Sequence, residues 1–315
     1  MRLKIINNSE TEIFSRPAGP SGRDHEGKRR HHEIRVLLKA IIMFALFAAP
    51  VLAATPEPQR DAVVQRVAAI QRADYEGDRV TLKRCYDELT AYVDDKDLGA
   101  KVRYWRGFAL WRRAVNGAND KVPPGELQDD FKQAVTEFEA AIARDPGFAD
   151  ARSAAGATLG NLMALYATYP DLSPEFKDPA RKQQSIDNAL TYMNDAQASD
   201  PENPRVWWVL GPVRWYQSFQ RKESAEKSSD AAIEMYQKGL EAARKRKNLV
   251  SDPLTPSWGE AECLMSLAAA KFYRPAPDLA AADEYAHSAL KLVPHWHYVK
   301  DILIPAIETA KAKRG

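Results

Sequence analysis

The chain has 315 residues, 45% hydrophobic, 9% aromatic and 28% charged, which supplies a sizeable core and excludes a disordered chain. The formal net charge of +2 argues against a dedicated nucleic-acid binder, and the basic excess lies at the start, where residues 1–54 hold nine Lys/Arg against five Asp/Glu. Two cysteines, Cys85 and Cys263, stand isolated and far apart in sequence, so they make no zinc spacing. Each reads as a small buried apolar side chain, with a disulfide between them as the alternative.

Residues 1–34 are polar and without period, and they contain Lys28-Arg-Arg-His-His32. They read as a disordered or mis-assigned extension, with the true start near Val36. Residues 35–54 carry Arg35 and Lys39, then an uninterrupted apolar run from Ala40 that ends in Ala53-Ala54. A basic, apolar, small-residue order is that of a secretory signal peptide. The apolar run rises only about 22 Å as a helix, short of a bilayer core. The sequence therefore predicts a mature chain starting at Ala54 or Thr55 and located in the periplasm or outside the cell. The membrane is involved only through this segment, and only if it stays uncleaved as an anchor.

The body, residues 55–315, reads as helix throughout, because apolar residues recur at three- and four-residue steps and alternating β-branched runs are absent. Expected helices are 58–75, 79–95, 98–115, 127–145, 149–168, 181–199, 204–221, 228–246, 257–273, 279–293 and 297–313. Asp145-Pro146-Gly147, Asp200-Pro201 and Val293-Pro294 mark stops, since proline past a helix end cannot continue it. Pro212 and Pro305 fall inside expected helices and should kink them.

Within this run the second helix of each pair carries a small-large-small pattern. Ala134-x3-Phe138-x2-Ala141 and Ala189-x3-Met193-x2-Ala196 each reach a proline five residues on, at Pro146 and Pro201. Ala232-x3-Tyr236-x2-Gly239 lacks the proline, and Ala282-x3-Ala286-x2-Ala289 has a small residue in the large slot. The first helices carry Gly107, Gly156 and Gly211, the last within Trp207-x2-Leu210-Gly211. Across about residues 100–294 this resembles the tetratricopeptide repeat. The resemblance implies an all-α α-solenoid of antiparallel helix pairs with residues 297–313 as a capping helix. The repeats are irregular, since Ala134 and Ala189 stand 55 residues apart where the family repeats every ~34. The extra residues fall partly in enlarged loops such as Tyr169–Arg181.

The body shows no phosphate loop, zinc-protease helix or nucleophile elbow, so neither an enzyme nor a metal or other cofactor is expected. In the family the first helices line a concave groove that holds a protein or peptide. Helical spacing puts Tyr104, Phe108 and Trp111 on one such stripe and Trp208, Trp215 and Tyr216 on another, with Lys101, Arg112 and Arg205 beside them and Asn161 between. These residues form either a partner-binding groove or core. The expected function is an exported protein or peptide interaction scaffold. The alternative is a small-ligand-binding component serving a transporter or envelope complex. An open concave strip would favour the first reading, and a closed pocket with trapped aromatics the second.

Overall fold

A computed structural model describes residues 56–246 and 251–313, within the unit Ala54–Gly315; the leader and the proposed start and cleavage sites lie outside the described residues. Eleven α-helices follow in chain order, and no strand occurs among the described residues. They are α1 (Glu57–Glu76), α2 (Arg79–Glu88), α3 (Gly99–Asn119), α4 (Pro124–Arg144), α5 (Ala149–Thr168), α6 (Pro179–Ser199), α7 (Pro204–Gln220), α8 (Ala225–Arg246), α9 (Glu260–Tyr273), α10 (Leu279–Leu292) and α11 (Ile304–Ala312).

Local chemistry sets the ends. Side-chain oxygens of Asp78, Asp178, Asn203 and Asp278 accept backbone N–H groups at the starts of α2, α6, α7 and α10. Proline stands at the start of α4, α6 and α7, where a missing N–H leaves no bond unmade. Pro305 does not kink a long helix. It sits at the start of α11, after a π-helical segment Tyr298–Leu303. Pro212 lies inside α7 and removes the bond to the Trp208 carbonyl.

The helices pack as pairs, α1/α2 through α9/α10, with α11 capping the last; short connections between packed neighbours make the partners antiparallel. The glycines of the first helices meet the large residues of the second. A Cβ at Gly107 would stand 2.8 Å from the Phe138 ring, and one at Gly156 would stand 2.9 Å from Met193 Cγ. One at Gly211 would collide with the Tyr236 ring. So the small-large pattern of the sequence is a set of close helix contacts, each replacing backbone separation by buried side chain. Both cysteines are free and buried.

Two features go beyond a plain stack of pairs. The first is that the ends of the body meet. Tyr75 of α1 packs edge-on against Trp296 at 5.1 Å and donates its hydroxyl proton to Glu262 of α9. The second is uneven spacing. α4 lies along α5 and α8 along α9, but α6 touches α7 only sparsely. The junction between the second and third motif-bearing pairs is therefore open.

Candidate functional site

The expected groove has two halves, and each has its own cover. Over the N-terminal halves of α3 and α7 runs a strap from the chain itself, residues 251–259, which contains Pro253 and Pro256 and so cannot extend α9 backward. Trp105 Nε1 donates to the Leu254 carbonyl at 2.8 Å, and Trp258 Nε1 donates to the Tyr104 hydroxyl at 3.1 Å. The Phe108 and Trp258 rings lie 5.7 Å apart. Leu254 is fully buried. Asp252 anchors the strap by pairing with Lys101 and, at 2.7 Å, with Arg60. Burial alone would raise the Asp252 carboxyl, but Lys101, the Leu254 N–H and Arg60 together hold it down at about 2.

Over the C-terminal halves of the first helices no strap runs, and an apolar cavity of about 420 Å³ opens between the α5/α6 pair and α7. This volume falls within the range of small-molecule sites, roughly 300–1,000 Å³. Trp111 and Trp208 contribute from the inner face, with rings 6.1 Å apart, and both are fixed by hydrogen bonds. Trp111 Nε1 donates to Asn161 Oδ1 at 2.7 Å, and Trp208 Nε1 donates to Ser266 Oγ at 2.8 Å. Met163 and Met193 add flexible apolar lining that adapts to an irregular occupant. Lys182 lines the outer part and lies over the Phe176 ring at 5.7 Å. Beside the cavity, the last two turns of α7 carry three exposed aromatics. Trp215 is 44% exposed, Tyr216 38% and Phe219 57%, and the Trp215 and Phe219 rings stack.

The residues expected along one groove therefore divide. Tyr104 and Phe108 are buried beneath the strap. Trp111, Asn161, Trp208 and Tyr216 come together at the cavity. Trp215 stands outside it, on the exposed ridge. Arg112 and Arg205 do not face a partner's carboxylates. Arg112 pairs with Asp74 at 2.7 Å, and Arg205 pairs with Asp150 and donates to the Trp258 carbonyl at 2.7 Å. The physical reason is burial, since a guanidinium at 5–9% exposure must have an internal counter-charge. Lys101 is likewise taken, by Asp252. Sequence reasoning missed Lys182 and Phe176, which lie in and after the enlarged 169–181 connection, and it assigned Met193 and Tyr236 to packing alone. The length of that connection was the available signal.

Glu262 is the other conspicuous carboxyl. Burial pushes its pKa up. Its oxygens accept from the Tyr75 hydroxyl and, at 2.7 Å, from the Gly259 N–H, so it ties α1, the strap and α9 together and does not line the cavity. Among the described residues no three His, Cys, Asp or Glu side chains converge as a metal site, and no helix is long and apolar enough to cross a membrane.

No family model and no curated protein matches the chain. Among solved structures it is similar to yeast Tom70, at 14% identity and a TM-score of 0.35, covering 91% of this chain and 69% of that one. The helix-pair architecture rests on the glycine contacts and pair packing described above, not on that likeness.

Proposed function

We propose that the chain is an exported, non-catalytic binding protein that holds a small apolar ligand in the cleft between α5/α6 and α7. The observation that carries this is the division of the inner face. The chain's own strap closes one half and leaves an apolar cavity of about 420 Å³ in the other, so trapped aromatics replace an open strip. The lining is mostly apolar, with Asn161, Lys182, Tyr216 and Tyr236 as its main polar side chains, which suits the binding of an apolar ligand. Export rests on the basic-apolar-small order of residues 35–54.

The test is fluorescence of N-phenyl-naphthylamine added to residues 55–315. Saturable enhancement is expected in the native chain and not in Gly160→Leu, which places a side chain into the cavity. Equal enhancement in both would count against the reading. For export, N-terminal sequencing of protein recovered outside the cytoplasm should begin at Ala54 or Thr55.

A second reading is supported by the Trp215–Phe219 ridge. There a protein or peptide partner, the reading implied by the repeat resemblance, would find stacked exposed aromatics beside the cavity. A peptide selected against residues 55–315 should then lose binding to a Trp215→Ala, Phe219→Ala double variant and keep it in Gly160→Leu.

A further inference from the structure

The cavity is apolar but not uniformly so, and its polar groups are spaced. Tyr236 of α8 lines it and is 91% buried, being 9% exposed, yet its hydroxyl has no hydrogen-bond partner among the described residues. The hydroxyl is not sealed among protein atoms but open to the cavity it lines, where an occupant can supply a partner. Asn161 also lines the cavity. Its oxygen is held by Trp111, while its amide donors have no partner among the described residues. Both free groups donate, so both call for an acceptor oxygen. Toward solvent, in the first turn of α6, stands exposed Lys182, which has no carboxylate partner among the described residues. The rest of the lining is largely hydrocarbon, including Met163, Ile186, Leu190 and Val213.

Resting on the cavity reading above, we propose that the ligand is an apolar carboxylate with a second, neutral oxygen along its body. The carboxylate pairs with Lys182. The neutral oxygen accepts from Tyr236 and Asn161, and the hydrocarbon fills the space between. At roughly 30 Å³ per small heavy-atom group, the share of one water in the liquid, the cavity holds about fourteen such groups. That is close to the fifteen heavy atoms of a dodecanoate with one added hydroxyl.

The experiment displaces N-phenyl-naphthylamine from residues 55–315 with three probes: dodecanol, dodecanoate and ω-hydroxydodecanoate. Adding a hydroxyl to an alkyl end weakens burial in a purely apolar pocket, because the hydroxyl must shed water. Here ω-hydroxydodecanoate is expected to bind at least as tightly as dodecanoate, and both acids more tightly than dodecanol. Tyr236→Phe should weaken the hydroxy acid by about fivefold, the loss of one hydrogen bond, and leave dodecanoate unchanged. Lys182→Met should weaken both acids by up to about fivefold and leave dodecanol unchanged. Gly160→Leu should abolish displacement by all three. A Cβ there would meet nothing within 4 Å, so the fold accepts it, and a melting temperature that does not fall checks this.

Three probes that displace equally, or variants that shift them equally, would overturn the ligand class and leave the cavity reading standing. Failure of every probe to displace the dye, or displacement that survives in Gly160→Leu, would overturn both.

Discussion

The two halves of the inner face are built from the same materials. Each presents aromatic side chains from α3 and α7 at helical spacing, and each has an arginine or lysine nearby in sequence. In one half Tyr104, Trp105 and Phe108 are sealed under Leu254 and Trp258, and the indole N–H groups of Trp105 and Trp258 bond across the seam, one to the strap and one from it. In the other half Trp111, Trp208 and Tyr216 line the cavity, and the Tyr236 hydroxyl and the Asn161 amide N–H groups there have no partner among the described residues. Identical residue types thus become core or candidate site according to whether a remote segment covers them. The aromatic stripe states only that a surface needs cover; it does not state what supplies it.

The comparison can be broken from the sealed side first. Trp105→Ala removes a fully buried indole and orphans the Leu254 carbonyl, and should lower stability by about 3–5 kcal/mol in denaturant unfolding. Gly211→Leu forces a side chain into Tyr236 and should cost about 1–3 kcal/mol, read by melting temperature. Unchanged stability there would contradict the close pairing of α7 with α8.

The Asp252 anchor gives a pH signature. Its folded value of about 2 lies below the ordinary 3.8, so its contribution is present above about pH 4 and is lost as pH falls toward 2. Asp252→Asn should cost about 1–2 kcal/mol at neutral pH. Its unfolding curves should converge with those of the native chain between pH 4 and 2.

On the open side the effects shrink or change sign. Gly160→Leu should raise stability by up to about 1 kcal/mol, because a helical glycine is replaced without a clash. The same substitution at Gly211 and at Gly160 should therefore act in opposite directions, which is the sharpest form of the comparison. Trp215→Ala, on the exposed ridge, should change stability by less than about 0.5 kcal/mol.

Much of the architecture was legible because it is local. Eleven helices were expected and eleven occur among the described residues, since amphipathic period and proline stops act within a few residues. The pairing of Gly107, Gly156 and Gly211 with Phe138, Met193 and Tyr236 could be read because small and large residues recur at fixed offsets. The expected start of the ninth helix at 257 came too early. Ser257, Trp258 and Gly259 belong to the strap, and the helix begins at Glu260 with its first turn capped through Glu262. The strap itself was not legible. Asp252-Pro-Leu-Thr-Pro reads as an ordinary loop, and its partners Arg60, Lys101 and Trp105 lie about 150 to 190 residues away. The cavity was half legible. Its inner-face aromatics and Asn161 were named, but its opening depends on how sparsely α6 meets α7, a tertiary property with no single residue behind it.

The meeting of α1 with α9 and Trp296 changes how the array must assemble. An open row of repeats can nucleate anywhere and grow by nearest-neighbour contacts, with little demand for long-range closure. Here Tyr75 finds Glu262, 187 positions further on, only after the chain between them has been made. A chain delivered N-terminus first would present α1 before α9 exists, so the first of the described helices waits longest for this contact.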